Sequence, residues 1–406
     1  MSTCDVAVTG LGLVSPAGIG VEANWHRVCA GMPTAQTDPL LNDCPVDISC
    51  RVPGFAADRM LGPRRARRLD RFVQLTVLAA EEAVTDSGLD VRDWDGARVG
   101  VVLGCADGGP GTVEEQHRVL LTEGAGQVSP LLLPRQLPNM MAGQVSIELG
   151  ATGPSLVVAT ACASGATAIG LARDLLLLRR CDIVVTGGGE AMLTPLVMAG
   201  FAQMGALSRR CDDPSAASRP FDSARDGFVA GEGAGVLVLE RLADAQARRA
   251  RVRARIAGFG ASADAHHVTS PDPQGRGAEA AVRGALADAQ IAPSEVEHVN
   301  AHGSATPLND LVEAQMLRRV VGRGALVTST KGVTGHLFGA AGAVETAFTV
   351  LAVERGMVPP TANLDEPDGR LDIDIAQKPT PLRLDIALST SLGFGGQNAA
   401  VLVARA

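Results

Sequence analysis

The chain has 406 residues, 46% of them hydrophobic and 20% charged, enough apolar material to bury a large core as one domain or two fused halves. A net charge of -8, aromatic content of 3% and the absence of tyrosine argue against nucleic-acid recognition, which needs basic surface and stacking rings. Forty-seven glycines point instead to tight strand-to-helix turns and close backbone packing.

The N-terminus, Met1-Ser2-Thr3-Cys4-Asp5, has neither the basic nor the apolar region of a signal peptide, and eight cysteines show no C-x-x-C spacing. Reduced thiols in a cytoplasmic protein are expected. Val6 to Thr9 is a predicted strand followed by a Gly10-Leu11-Gly12 turn, but Ser15 occupies the third glycine of a dinucleotide-binding fingerprint, so that motif fails. Arg64, Arg65, Arg67, Arg68 and Arg71 form a basic cluster whose plain reading is a solvated helix start. Apolar periodicity predicts a helix over about 68–86, and 98–103 is a short strand of buried type.

The stretch Ala151 to Ala172 carries no charge and is long enough to span a bilayer. Gly153-Pro154 and the many Ser, Thr and Gly residues suit a strand at 156–159, a turn and a buried helix over about 162–179 better. A strand follows at 182–186, ending at Gly187-Gly188-Gly189. Further strands are predicted at 235–240 and 298–301, with a helix over 279–290 between them. This alternation argues for α/β layers around a largely buried sheet, without linkers or a legible repeat.

Cys162 then stands at a strand-to-helix junction, where free N–H groups and the helix dipole favour a thiolate. A lone cysteine is ordinarily inert packing, so reactivity needs a partner base. Of seven histidines, His302 in VNAHGSATPLND follows a strand and precedes turn-forming residues, and His336 in KGVTGHLFGAAGAVE lies in a glycine-rich loop opening a helix, loop positions where reactive groups collect. The three lack metal-type local spacing, and no metal is expected.

Five motifs in order, GPSLVVATACASGATAIG around Cys162, PFDSARDGFVAGEGAGVLVLE at 220–240, the two histidine segments, and LGFGGQNAAVLV at 392–403, cover nearly the whole chain. As a set they resemble the condensing enzymes of the thiolase fold, most closely the β-ketoacyl-acyl carrier protein synthase II and type II polyketide ketosynthase family. The resemblance implies a layered α-β-α-β-α fold of two similar halves, 1–250 with the nucleophilic cysteine and 251–406 with the catalytic histidines.

It also implies an acyltransferase in which Cys162 takes an acyl chain from a carrier-protein thioester. His302 and His336 would donate hydrogen bonds to the thioester oxygen of a malonyl-type extender as it loses CO2. Backbone N–H groups of Cys162 and Phe394 would hold the oxyanion, and Lys331 and Glu313 would form a supporting ion pair. Thr269, Ser270, Ser304 and Thr306 would line the path of the 4'-phosphopantetheine arm, the chain itself binding no cofactor. Arg64, Arg65, Arg67, Arg68, Arg209 and Arg210 would dock the acidic carrier protein. The implied assembly is a homodimer, or a heterodimer with a homologous chain-length factor, without nucleic acid or membrane.

Departures from the family pattern concern the acyl chain. Asp107 stands where fatty-acid enzymes guard the acyl tunnel with an apolar residue, and an unpaired carboxylate beside a saturated chain would be costly to desolvate. Leu392 replaces an aromatic residue, Gln397 a threonine and His266 a tyrosine. These favour a specialised polyketide or polyene ketosynthase over housekeeping fatty-acid synthesis. A non-catalytic scaffold subunit is disfavoured by the presence of Cys162, His302, Lys331 and His336 together, and a degradative thiolase by the lack of any cysteine after Cys211.

Overall fold

The computed structural model describes residues 5–406, so the start of the chain, with Cys4, lies outside the described residues. Its principal strands are β1 (Val6–Ser15), β2 (Val99–Gly104), β3 (Ser155–Val158), β4 (Ile183–Glu190), β5 (Gly233–Arg241), β6 (Ala254–Ala263), β7 (His298–Asn300), β8 (Leu326–Thr328), β9 (Ile386–Gly393) and β10 (Gln397–Ala404). The helices that matter here are α1 (Arg71–Ser87), α2 (Asn139–Leu149), α3 (Ser164–Leu177), α4 (Pro195–Met204), α5 (Arg276–Ala289), α6 (Pro307–Val320) and α7 (Ala341–Arg355).

Strand pairing exposes a duplication. Reading outward from the centre, the order is β1-β5-β4-β2-β3 on one side and β6-β10-β9-β7-β8 on the other, joined by an antiparallel β1–β6 pair. In each set the first two pairings are antiparallel and the next two parallel. Helices α1 and α2 cover the outer face of the first set, α5 and α6 that of the second, and α3 and α7 lie between the two. The fold is therefore an α-β-α-β-α stack of two similar halves, as expected of a thiolase-like protein.

The halves share a packing device as well as a topology. A Cβ on Gly10 or Gly12 of β1 would come within 2.0 and 1.9 Å of the Ala83 and Ala79 carbonyl oxygens on α1. On β6, Gly258 and Gly260 meet the Ala285 and Ala281 carbonyls of α5 in the same way, at 2.3 and 2.1 Å. The turn expected at Gly10 to Gly12 is thus not a turn. Those glycines lie inside a fully buried strand because a helix backbone rests on them; Gly187 to Gly189 also lie within a strand, β4, but there the close neighbours are the Gly235 carbonyl, the Gly104 and Gly339 carbonyls and the Thr76 hydroxyl.

The two central helices touch reciprocally. A Cβ on Gly165 would lie 2.8 Å from the Ala343 nitrogen, and one on Gly342 would lie 2.9 Å from the Ala166 nitrogen. Small residues at the first turns of α3 and α7 let these N-termini cross at backbone contact, and each is preceded by one of the candidate reactive residues. No helix among the described residues is long and apolar enough to cross a membrane.

Candidate active site

Cys162 lies two residues before α3, not on its first turn as the apolar pattern suggested, in a junction where Ala161 takes a left-handed φ of 49°. Ser164 fixes this junction: its hydroxyl donates to the Ala161 carbonyl at 2.6 Å and accepts the Thr160 N–H at 2.9 Å. His336 precedes α7 and is held by two backbone bonds to the 229–231 segment, its N–H to the Val229 carbonyl and the Gly231 N–H to its own carbonyl, both 2.8 Å. The glycine-rich stretch at 227–235 is therefore the seat of a histidine.

His302 stands beyond the end of β7. Its N–H and that of Gly303 have no strand partner there, and Glu313 on α6 accepts both, at 2.8 and 2.7 Å, while also accepting the Thr390 hydroxyl at 2.7 Å. This use of Glu313 corrects the expected ion pair. The Lys331 ammonium instead meets Glu345 on α7, with both side chains buried, and Glu313 spends its oxygens on the turn that carries His302.

These placements converge. His336 Nε2 is 3.1 Å from Cys162 Sγ, and the His302 and His336 rings lie edge to face with centroids 5.2 Å apart. Burial, reinforced by the Lys331 charge, pushes both imidazoles well below the ordinary histidine range, so they are neutral near pH 7. Burial also pushes the Cys162 thiol up to about 11, against the pull of the Lys331 charge and the Phe394 N–H, which donates toward the sulfur. Neither Nδ1 bonds to the protein, so the fold leaves the tautomer open and each ring can accept or donate a proton through Nε2.

A cavity of about 400 Å³ opens on these groups. Thr269, Ser270, Ser304 and Thr306 line it together with Leu392 and Phe394. The Gly393 backbone approaches so closely that a Cβ there would sit 3.1 Å from the Cys162 nitrogen, which accounts for the glycine-rich 393–396 turn. Asp107 does not line the cavity. Its neighbour Ala106 does, while Asp107 is exposed, which corrects the expectation that its carboxylate borders the acyl path.

The sequence reading missed the aromatic wall. Although phenylalanines are sparse, Phe201, Phe228, Phe338 and Phe394 gather on the cavity, with Phe201 stacked on Phe338 at 5.2 Å and edge-on to Phe228 at 5.5 Å. Glu345 and Glu190 were missed too. An odd feature of the motifs, a carboxylate inside otherwise apolar glycine and alanine runs, was the available signal for both.

Of the basic residues, Arg64, Arg67, Arg68 and Arg209 are exposed. Arg65 is engaged by Glu81 and Glu148 at 2.7 and 3.1 Å, and Arg210 donates to the Ala224 carbonyl. No group of three or more potential metal-ligating side chains occurs among the described residues.

Comparison with known proteins shows the family to which the chain belongs. Models of the beta-ketoacyl synthase N-terminal and C-terminal domains match residues 3–245 and 253–365. The chain is 40% identical to the 3-oxoacyl-[acyl-carrier-protein] synthase 2 of Vibrio cholerae, covering 100% of both, and 41% identical to that of Staphylococcus aureus, covering 98% of this chain and 97% of the relative. Among solved structures, the ishigamide ketosynthase/chain length factor superposes with a TM-score of 0.93 at 30% identity over 100% of both chains. A type II polyketide acyl-carrier protein in complex with its ketosynthase, AntDE:AntF, gives a TM-score of 0.90 at 31% identity over 99% of both.

Proposed function

The chain is an acyltransferase that belongs to the β-ketoacyl synthase family, and from that premise we propose a decarboxylative Claisen condensation carried out by Cys162, His302 and His336 in a type II polyketide system. The observation that carries the reading is the neutral His336 Nε2 set 3.1 Å from the Cys162 sulfur, with His302 beside it.

In the first step the Cys162 sulfur attacks the acyl thioester of a carrier protein. A new C–S bond forms, the bond to the pantetheine sulfur breaks, and the thiol proton passes through His336 Nε2 to the departing thiolate. The N–H groups of Cys162 and Phe394 hold the oxyanion of this step. In the second, a malonyl thioester binds with its carbonyl oxygen toward Nε2–H of both histidines. The bond to the carboxylate breaks, CO2 leaves, and the electron pair is held as an enolate by these two donors. The enolate carbon then bonds to the acyl carbonyl, and the Cys162 thiolate leaves.

The pantetheine arm runs past Thr269, Ser270, Ser304 and Thr306, and exposed Arg64, Arg67, Arg68 and Arg209 supply charge for an acidic carrier protein. Arg65 and Arg210 serve that docking face by shaping it. The halves divide near residue 250, between β5 and β6.

The partner is a homologous subunit in the cytoplasm. β3 is an open sheet edge, and Leu133, Ile147 and Leu156 are exposed at 59, 71 and 37%. The loop after β2 is tied to this edge by the Cys105 N–H on the Val158 carbonyl.

One observation favours the fatty-acid reading instead: identity to the synthase 2 relatives, 40–41%, exceeds that to the polyketide structures, 30–31%. Mass spectrometry of the acyl group on Cys162 from the co-purified complex separates the two. An unsaturated or oxygenated chain on a heterodimer supports the polyketide assignment, and saturated chains on a homodimer overturn it.

A further inference from the structure

Glu190 ends β4 with no exposed surface, and the condensation derived above gives it no task. Its carboxylate accepts three donors from two different turns. Oε2 takes the Ala106 N–H at 2.6 Å and the Gly339 N–H at 3.2 Å, and Oε1 takes the Cys105 thiol at 3.4 Å. The first turn follows β2 in the first half, whereas Gly339 belongs to the 336–340 turn of the second. A Cβ on Gly339 would sit 2.4 Å from Oε2 and 2.6 Å from the Ala106 nitrogen, so glycine is what lets the two turns share one carboxylate.

Both turns present cavity wall. Ala106 and Phe338 line the space into which Cys162 opens. Phe338 has a left-handed φ of 49°, a conformation that costs a non-glycine residue and persists only when its surroundings impose it. Its ring lies 5.1 Å from the His336 ring and stacks on Phe201, so a small rotation of the backbone there moves the wall facing an acyl chain. Replacing Glu190 with a hydrocarbon would leave three buried donors unsatisfied, and none of its hydrogen bonds goes to the reacting sulfur.

We propose that Glu190 is a positioning residue that clamps Ala106 and Phe338 at a fixed spacing and thereby sets which acyl chains Cys162 accepts. The assignment rests on Cys162 being the acyl carrier. Glu190→Gln conserves size but replaces one acceptor oxygen with an amide donor facing donors. Gly339→Ala disturbs the same clamp from the other side while keeping the carboxylate.

In the full-length protein, the rate of Cys162 acylation is followed by mass spectrometry with acetyl-carrier protein and with a series of longer acyl chains, beside CO2 release from malonyl-carrier protein. Both variants, melting as folded proteins, are expected to keep acetyl loading and CO2 release while chains long enough to pass Phe338 load about tenfold more slowly, the size of effect that follows from displaced positioning groups. A loss uniform across chain lengths and CO2 release assigns Glu190 to general structure and overturns the proposal, as does loading that no chain length changes. If the unsubstituted protein never acquires an acyl group on Cys162, the functional reading fails and this one falls with it.

Discussion

The two halves place different chemistry at matching stations of one frame. At the end of β2 the chain reads Gly104-Cys105-Ala106, and at the end of β7 it reads Asn300-Ala301-His302. Before central helix α3 comes Cys162, and before its counterpart α7 comes His336. Each half also uses one fully buried carboxylate to collect backbone N–H groups that no strand can satisfy: Glu190 takes those of Ala106 and Gly339, and Glu313 those of His302 and Gly303. The frame is shared and the cargo is not. A thiol and small residues leave room for a covalent acyl group in the first half, while two neutral imidazoles in the second can hydrogen-bond developing negative charge.

That division is most directly broken by exchanging one cargo at a time. Cys162→Gln is expected to abolish acyl transfer and condensation while malonyl decarboxylation continues, because the donors to the enolate stay in place. His302→Ala, by contrast, should lower decarboxylation itself by about 10²–10³-fold, the usual consequence of losing one donor to a developing oxyanion. Labelled CO2 release and product mass measure the two separately. A folded Cys162→Gln protein that releases no CO2 would mean that the halves do not divide the reaction.

Lys331 acts across the division, since its charge bears on Cys162, His302 and His336 alike. Lys331→Met leaves Glu345 buried without its cation, and a loss of roughly 3 kcal/mol in urea unfolding is expected, as for other broken buried pairs. Glu345, pushed by burial up to about 7, takes a proton and limits the damage. Losing the cation also raises the thiol further, so the pH profile of iodoacetamide alkylation at Cys162 should move to higher pH. An unchanged profile would confine Lys331 to a structural role.

The pseudo-symmetry itself is tested at the helix crossing. Gly165→Ala and Gly342→Ala each push a methyl into the facing backbone, and each should cost roughly 1–3 kcal/mol, as overpacking does. Because the contact is reciprocal, matched losses are expected. A large loss from one and none from the other would show that the crossing is not equivalent on its two sides.

Local pattern made most of the elements legible, and the motifs singled out the three residues that the structure brings together, Cys162, His302 and His336, but the long-range geometry was not legible. Periodicity located α1 and α5 within a few residues, because their buried faces repeat at helical spacing. Gly10-Leu11-Gly12 looked like a turn since glycine serves turns and close approach equally, and only the position of Ala79 and Ala83 tells them apart. The matching glycines at 258 and 260 would have revealed the duplication if the pair had been read against the alanines of α5. The partner of Lys331 was misassigned because Glu313 and Glu345 are both buried near it, and the choice depends on unsatisfied N–H groups that appear only once β7 ends. Asp107 was misjudged by one position, which in a loop turns a side chain from cavity to surface.

The last contrast lies in acid sensitivity. The three buried histidines, His298, His302 and His336, all belong to the second half, while Glu190 is a buried carboxyl of the first. Burial lowers His298 to about 4, although its Nδ1 lies 2.8 Å from the Leu326 carbonyl. Above pH 6.5 the ring is neutral folded or unfolded and titration has no effect. As the pH falls below 6.5 the unfolded chain takes a proton that the folded one refuses, so stability is lost until about pH 4. His298→Gln, whose amide can still donate to Leu326, should therefore lose about 2 kcal/mol less than the unsubstituted protein between pH 7 and pH 5, whatever its offset at pH 7. Glu190 carries the opposite sign. Burial raises it from 4.5 to about 7, so its contribution is full below pH 4.5 and is lost as the pH rises to 7. Glu190→Gln removes a term that strengthens on acidification, and its acid-side loss should be steeper than that of the unsubstituted protein. Urea unfolding at the two pH values reads both, and slopes of the same sign for the two variants would contradict the opposite titrations assigned to His298 and Glu190.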